Sequence, residues 1–359
     1  MSFLKGTVTF SSFRVIGEKT SDFNNFFAEQ IKKNAFPDFS AQAAEKILGW
    51  TDINDHLDTD FIGLKYAVGG YWLFALRMDR KLTPPSLLRI KCLEAERDIL
   101  KERNIKRVGK ALREEIREAV FSDLLKKAQP IPSFFEVCWN PIEKRLYFSS
   151  LADKVIDDFH ALFKESFDFI LQPFYPWDIV YLSEEQSAKL QASEGVLWGR
   201  DFLTWLWFKS EERNGSIALT IQEEIELVFT RRIVLTAGEG DYSEQVVCQG
   251  LHAGLQEGKE ALRQGKKIRE ARLRLGVDTD VFEFTFKADR FHFQSLKLPE
   301  TAEEEDDNDA EGRTLERLYL IEKPLKIMEN LFNLYLDLRL SPKWEMEETP
   351  RMKKWLERI

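Results

Sequence analysis

Alternation of apolar and polar residues with a period of two predicts several β-strands along the chain. One such run lies at 6–15, and two more, at 61–68 and 71–77, flank Gly69-Gly70, a connector typical of a tight hairpin. Similar runs later in the chain lie at 134–139, 145–149, 225–236, 267–275, 280–287 and 291–296. Strands are therefore expected in both halves of the chain.

Between these strands the sequence predicts helices, at 22–33, 86–128, 151–167, 201–208, 243–264 and 313–340. The longest of these stretches has no proline and contains one glycine, Gly109. It predicts either a single long helix or a hairpin of two helices with a break at 104–109. The whole pattern favours an α+β fold with antiparallel sheets, packed helices and a long charged helical arm.

The length of 359 residues is large for a single core, so we expect a multi-lobed chain. The first α+β lobe is predicted at 1–84, and the charged arm that forms a tip at 85–129. A strand-strand-helix unit at 130–180 continues the central lobe. A second α+β lobe at 181–340 carries an acidic insert at 298–312, and a C-terminal tail follows at 341–359.

Hydrophobic residues make up 43% of the sequence, with 28 Phe and 9 Trp, which is enough for a sizeable core. No stretch approaches the roughly 20 apolar residues of a membrane helix, and the first residues lack the apolar run of a secretory signal. We therefore expect a cytoplasmic protein with no membrane partner.

The net charge of −9 is unfavourable for nucleic-acid binding if it is spread over the whole chain. Residues 300–311 carry eight acidic side chains and no basic one, and without them the chain would have a net charge of −1. A run of this kind repels itself and lacks apolar anchors, which is typical of an exposed loop without regular structure. DNA mimicry or autoinhibition by this segment is the alternative.

The usual signatures of catalytic, cofactor or metal sites are missing. The three cysteines, Cys92, Cys138 and Cys248, have no Cys-x-x-Cys spacing, and the four histidines are scattered, so we expect neither a disulfide framework nor a zinc site. The segment at 254–260 has three residues instead of four between its glycines and a Glu where a phosphate-binding loop needs Ser or Thr. We expect no catalytic residue, no cofactor and no bound metal.

A nuclease is the enzymatic alternative, because carboxylates on adjacent strands can hold the magnesium that such enzymes use. Asp278, Asp280 and Glu283, followed by Lys287, come nearest to this arrangement. Glu283 and Lys287 are four residues apart rather than two, so the spacing departs from the usual one. Solvated charges at strand ends are the simpler interpretation.

Two stretches of the chain are basic. Between 85 and 128 there are twelve basic and eight acidic side chains, and six of the basic ones recur every three or four residues, which would align them on one face of a continuous helix. These six are Arg103, Lys106, Arg107, Lys110, Arg113 and Arg117. Lys126 and Lys127 follow near the end of the stretch.

The second basic stretch contains seven basic and three acidic residues between 257 and 274, among them Arg263, Lys266 and Lys267. Two such stretches could follow a phosphate backbone, with salt-dependent binding and little sequence preference. The simpler interpretation of both is a solvated face crossed by salt bridges, and charge alone favours that interpretation.

The order of features resembles the bacterial recombination-associated protein RdgC family. It comprises an N-terminal strand and helix, Leu48-Gly49-Trp50, a strand ending Leu76-Arg77, the turn Lys81-Leu82-Thr83-Pro84-Pro85-Ser86, the charged arm and Trp139. Leu203-Thr204-Trp205, Gly265-Lys266-Lys267 and the final helix extend the resemblance over most of the chain. It implies a non-enzymatic, RdgC-like dimer that forms a ring around duplex DNA and restrains recombinase filaments.

The chain also departs from the family pattern. One departure is near the dimer gate, where the resemblance implies that two copies close the ring. The chain keeps the basic character there in Leu124-Leu125-Lys126-Lys127-Ala128, but Gln129 stands where the family has an aromatic residue. The loop at 236–240 lacks the lysines that the family can have there, and the acidic insert and the C-terminal tail look like additions. The chain thus keeps the basic residues that the resemblance implies for DNA contact and lacks the aromatic residue that it implies for closure of the ring.

The leading hypothesis is a homodimeric, nucleoid-associated protein that binds double-stranded DNA without sequence preference, with a recombinase filament as a further partner. The expected phosphate contacts are Arg103, Lys106, Arg107, Lys110, Arg113, Arg117, Lys126, Lys127, Arg263, Lys266 and Lys267. A metal-dependent nuclease of recombination is one alternative. A protein-interaction scaffold that does not bind DNA is the other.

Overall fold

The computed structural model describes residues 2–17, 22–37, 44–191, 195–212, 215–219, 224–238, 244–250, 255–299 and 310–357. The strands of the described residues, in chain order, are β1 Val8–Ile16, β2 Lys46–Asp52, β3 Ala67–Val68, β4 Tyr71–Lys81, β5 Pro130–Asn140, β6 Arg145–Phe148, β7 Ile170–Pro173, β8 Ser216–Ala218, β9 Glu224–Ala237, β10 Glu244–Gln249, β11 Lys267–Val277, β12 Asp280–Lys287 and β13 His292–Lys297.

The α-helices of the described residues, in chain order, are α1 Phe23–Lys33, α2 Pro85–Glu102, α3 Lys110–Lys127, α4 Asp153–Phe167, α5 Glu184–Gln191, α6 Trp198–Glu212, α7 Leu255–Arg263, α8 Ala310–Arg339 and α9 Thr349–Glu357. A π-helical turn, Trp344–Glu348, precedes α9. None of the helices that the structure describes is both long enough and apolar enough to span a membrane.

The strands form one antiparallel sheet that β1 carries from one half of the molecule to the other. The main path runs β10-β9-β11-β12-β13-β1-β6-β5-β4-β2. The first residues of β1 pair with β13, Val8 opposite Leu296, whereas its later residues pair with β6 and β7. The first and last parts of the chain are therefore joined in the middle of the sheet, and the predicted α+β fold with antiparallel sheets is confirmed.

Two aromatic cores lie under the two halves of this sheet. In the first, Phe27 stacks on Phe167 with ring centroids 4.6 Å apart, and Trp72 meets Trp139 edge-on at 5.0 Å. The second is built around α6 and α8, where Phe202 contacts Phe332. Large aromatic side chains account for much of the apolar area that each half buries, which is the main source of its stability.

The predicted arm is a hairpin of two helices, the second of the two arrangements that its sequence allowed. Pro84 and Pro85 stand at the start of α2, where proline fits because no intrahelical N–H bond is lost. Asn104 has a left-handed backbone (φ 47°), which ends α2, and Gly109 is the N-cap of α3. The basic residues of the arm are therefore divided among two helices and the connection between them.

Two local predictions were wrong. Residues 61–64 are not strand, because Phe61 and Gly63 have left-handed backbones that interrupt extension, and β3 is reduced to two residues. Residues 244–249 are strand and not helix, since they pair with β9, and α7 begins after them.

The C-terminal tail packs into the second core. Trp344 and Trp355 are buried there, and the indole N–H of Trp355 donates to Glu211 at 2.6 Å. The indole N–H of Trp205 donates to Glu348, 3.2 Å away. The tail, which sequence comparison with the family pattern marked as an addition, is thus part of the folded second half.

Candidate nucleic-acid interface

The helical hairpin of α2, α3 and their connection at 103–109 carries eight of the predicted phosphate contacts. All eight side chains are exposed: Arg103, Lys106, Arg107, Lys110, Arg113, Arg117, Lys126 and Lys127. The hairpin stands at one end of the β4–β5 pair, because α2 follows β4, α3 leads into β5, and Lys81 pairs with Pro130 where the two strands meet it.

Six of these residues would share one helical face only if the arm were a continuous helix, and it is not continuous. Arg103, Lys106 and Arg107 lie outside helix, because the left-handed Asn104 and the N-cap Gly109 separate α2 from α3. Lys110, Arg113 and Arg117 remain at helical spacing on α3. The basic residues therefore form a cluster at the tip of the hairpin that continues along α3.

Most of the hairpin cations are free of intramolecular salt bridges. Arg113 approaches Glu96 on α2 at 3.1 Å, and Lys127 pairs with Asp123 at 2.7 Å. Among the described residues, the other six predicted contacts on the hairpin have no acidic partner within salt-bridge distance. A phosphate could approach these six without first displacing a carboxylate, which removes most of the competition for binding.

A groove of about 580 Å³ at the base of the hairpin adds two cations that the sequence patterns missed. Lys126 and Lys127 line it together with Arg77 and Lys81 of β4. Arg77 lies over the ring of Phe36 at 4.1 Å and pairs with Asp79 through two hydrogen bonds of 2.9 and 2.8 Å. The signal was present in the sequence, since charges two residues apart on an otherwise apolar strand share one face.

The second basic stretch is arranged differently, because its three predicted phosphate contacts are occupied. Arg263 pairs with Glu260 at 2.8 Å and also donates to the carbonyl of Leu356. Lys267 pairs with Asp201 at 2.7 Å. These contacts fit the simpler interpretation of this stretch as a face crossed by salt bridges.

Lys266 belongs to the same stretch and is buried, with 8% of its surface exposed. Its ammonium lies 2.9 Å from Glu244 of β10 and lowers the pKa of that carboxyl. Phosphate contact at Lys266 would therefore require a change in the surroundings of a buried charge.

The carboxylates considered for a nuclease do not converge. Asp280 lies 2.7 Å from Lys323, and Asp278 lies in the turn after β11, 3.9 Å from the same ammonium. Glu283 approaches Arg272 at 3.4 Å. Within the residues that the structure describes, no three His, Cys, Asp or Glu side chains are grouped so that they could hold a metal ion.

Two features of the sequence fall outside the described residues. These are 300–309, which is most of the acidic insert, and 239–240 at the end of the loop at 236–240.

The outer surface of α2 is apolar at three positions. Leu87, Ile90 and Leu93 recur every three residues and are 40%, 54% and 48% exposed, and α2 has no buried residue. Such side chains favour contact with another surface, since burying them is worth about 25 cal/mol for each Å² removed from water. The arm thus combines basic side chains with an uncovered apolar face.

Comparison with known proteins gives one family match. Residues 10–187 match a family model described as "RdgC: Putative exonuclease, RdgC". The match spans β1 to the first residues of α5, including the hairpin and its basic side chains, but not Arg263, Lys266 or Lys267. No curated protein matches the chain.

Proposed function

We propose that this chain binds double-stranded DNA without sequence preference. The match of residues 10–187 to the RdgC family model supports a recombination-associated DNA-binding protein at family level. The proposal includes a homodimer that closes into a ring around the duplex and restrains recombinase filaments. It also places the protein in the cytoplasm, associated with the nucleoid, and assigns it no catalytic activity.

The observation that carries the proposal is the set of unpaired, exposed cations on the hairpin. Cations without carboxylate partners attract the phosphate backbone and release its condensed counterions, and neither effect depends on base sequence. The three predicted contacts on the second basic stretch, Arg263, Lys266 and Lys267, are each already paired with an acidic side chain. The hairpin is therefore the principal DNA-binding surface in this proposal.

The exposed face of α2 supports the dimer. Leu87, Ile90 and Leu93 offer exposed apolar area at the hairpin and belong to neither buried core. A symmetric contact between two hairpins would cover this area and would place the basic side chains of both copies around one space. Gln129 is exposed at the end of α3, so the contact at the gate would rely on these apolar residues rather than on an aromatic one.

Charge reversal at the hairpin base tests the proposal. Lys126→Glu with Lys127→Glu should weaken binding by a similar factor, at least tenfold, to two duplexes of unrelated sequence, because each lost phosphate contact removes attraction and counterion release. Fluorescence anisotropy at several salt concentrations measures this effect.

The matched control is Lys353→Glu with Lys354→Glu, an adjacent exposed pair on α9 that gives the same change in net charge. It should alter the affinity less than threefold or so, as expected for distant surface charges. Equal losses for the two double variants would contradict a binding surface on the hairpin and would indicate an effect of net charge.

A metal-dependent nuclease is the second candidate, because the matching family model is described as an exonuclease. Linear and closed circular duplexes incubated with Mg²⁺ or Mn²⁺ separate the candidates. A binding protein leaves both substrates intact, whereas an exonuclease shortens the linear one. If cleavage appears and persists in a variant with Asp278, Asp280 and Glu283 all changed to Asn or Gln, other carboxylates must be responsible.

A further inference from the structure

The outer face of the first half's sheet carries charged side chains beside the base of the hairpin. Leu76 and Met78 of β4 belong to the first core. Arg77, Asp79 and Lys81 alternate with them along the strand and therefore lie on the opposite face. All three line the groove at the hairpin base, whose volume is about 580 Å³. Sites of roughly 300–1,000 Å³ hold ligands of small-molecule size, and a nucleotide that has left the duplex is such a ligand.

Arg77 has a fixed position on this face, close to two aromatic rings. Its guanidinium donates two hydrogen bonds, of 2.9 and 2.8 Å, to Asp79, which is 1% exposed. The guanidinium carbon lies 4.1 Å from the ring centroid of Phe36 and 5.8 Å from that of Phe134. The groove thus combines cationic and aromatic side chains, as surfaces that bind single-stranded nucleic acid do.

His56 and Phe134 form a stacked pair of rings beside Arg77. Phe134 of β5 is the register partner of Arg77. The two ring centroids are 4.1 Å apart and the ring planes differ by 11°, and Nδ1 of His56 lies 3.1 Å from the carbonyl oxygen of Asp52. Phe134 is 37% exposed, and His56 is half-buried. Partly exposed, fixed rings of this kind are the surfaces on which unpaired bases stack.

Lys126 and Lys127 supply positive charge at the rim of the same groove. Lys126 is exposed and has no acidic partner among the described residues. Lys127 pairs with Asp123, but both side chains are largely exposed, at 72% and 60%, so the pair contributes little to stability. A phosphate group can therefore take the place of Asp123 at small cost.

From this arrangement we infer that the groove and the stacked pair bind an unpaired DNA strand where it leaves the duplex. Its bases would stack at His56 and Phe134, and its phosphates would contact Lys126 and Lys127. Stacking requires no particular sequence, because every base has a π-face. The inference rests on the proposed function and adds a substrate class to it, a duplex with a single-stranded extension.

Three labelled DNAs of one duplex sequence test the inference by fluorescence anisotropy at a fixed salt concentration. One is blunt, one carries an overhang of about eight thymidines, and one carries an overhang of about eight abasic sites, within the roughly 4–16 nucleotides that single-strand sites cover. The two overhangs have the same phosphates and differ only in their bases. The thymidine overhang should raise the affinity about fivefold or more above the abasic one, the lower limit for stacking of one base.

Two substitutions remove the rings without changing the phosphate contacts. Phe134→Leu and His56→Gln should each reduce the gain from the thymidine overhang to less than about twofold, while the affinity for the blunt duplex stays within about twofold. Unchanged binding of the blunt duplex shows that these variants are folded. Phe134→Tyr, which keeps the ring, should keep the gain.

Tyr319→Leu is the matched control, because Tyr319 is an aromatic residue on α8 that is 61% exposed and lies outside the groove. It should leave the gain from the thymidine overhang unchanged. An equal loss in Tyr319→Leu, or equal affinities of the unmodified protein for the two overhangs, would overturn the inference.

Lys126→Glu with Lys127→Glu separates this inference from the proposed function. If that double variant loses affinity for the blunt duplex while the unmodified protein does not distinguish the two overhangs, the stacking site is ruled out and duplex binding by the hairpin stands. If the unmodified protein fails to bind the blunt duplex, the proposed function is contradicted, and this site with it.

Discussion

The cationic side chains of this protein differ most in whether they already form a salt bridge with a carboxylate. Lys106 is exposed at the tip of the hairpin without an acidic partner among the described residues, whereas Lys266 is buried and 2.9 Å from Glu244. Moving Lys106 onto a phosphate breaks no salt bridge. The same movement for Lys266 would leave a carboxylate unpaired and would disturb a buried charge, which costs several kcal/mol in comparable cases.

His292 gives a pH dependence whose sign can be worked out. Its pKa is about 3 in the folded protein, against about 6.5 when unfolded, so below pH 6.5 the unfolded chain takes up a proton that the folded one does not. The free energy of unfolding should therefore fall by about 1.4 kcal/mol per pH unit from pH 6 towards 4 through this residue.

Urea unfolding at several pH values measures this slope in the unmodified protein and in His292→Gln. The variant should lose stability less steeply over the same range, because glutamine does not titrate. Parallel slopes for the two proteins would contradict the assignment of the acid sensitivity to His292.

Gly199 on α6 marks a close approach between backbone segments. A β-carbon at this position would overlap the backbone carbonyl of Ala288, in the turn before β13. Gly199→Ala should lower the free energy of unfolding by about 1–3 kcal/mol, the usual cost of overpacking. Gly109→Ala, whose added β-carbon would meet nothing within 4 Å, should cost less than about 1 kcal/mol in the same thermal or urea unfolding experiment.

At the level of elements, the hairpin and β11 both carry basic residues and differ in their surroundings. The hairpin is a projecting pair of helices with few buried side chains. Helix α2 has none, and α3 has Ile116 and Leu125. Strand β11 lies between β9 and β12, so acids on neighbouring strands and on α6 are within reach of its cations. The projecting element therefore keeps its charge available, and the central strand does not.

This difference predicts the salt dependence of DNA binding. Lys106→Gln with Arg107→Gln should reduce the slope of log affinity against log salt by about 2, because each phosphate contact contributes about 0.9. Arg263→Gln with Lys267→Gln removes the same charge from the second basic stretch and should change the slope by less than about 0.5. Similar reductions in both double variants would give the second stretch an equal part in binding.

Across the whole molecule, β1 holds both halves in one sheet while the hairpin projects from one of them. In the proposed ring a second copy would supply the rest of the wall, and encirclement would be detected by its dependence on DNA topology.

Dissociation from closed circular and linear duplexes of the same sequence tests encirclement. The protein should dissociate from the closed circle at least tenfold more slowly at high salt, because a circle has no end from which a ring can slide off. Substituting Leu87, Ile90 and Leu93 with Ser should remove this difference while leaving binding at low salt in place. Equal release rates for the two forms in the unmodified protein would contradict a closed ring.

Much of the fold could be predicted from local patterns, because period and turn chemistry act over a few residues. The helical arm with a break at 104–109, strands β5 and β6 and strands β11 to β13 follow from such patterns. The same reasoning failed at 61–64, where left-handed residues interrupt the strand, and at 244–249, where pairing with β9 outweighs the helical pattern. Non-local pairing has no signature in a short window.

The candidate site was likewise only partly predictable from the sequence. Residue identities and counts reveal two basic stretches and an acidic insert, because charge is a property of the residue alone. Which cations are free depends on acids far away in the chain, as with Lys267 and Asp201 or Lys266 and Glu244. The pair between Asp153 and Arg290 likewise joins residues far apart in the chain, and only folding brings them together.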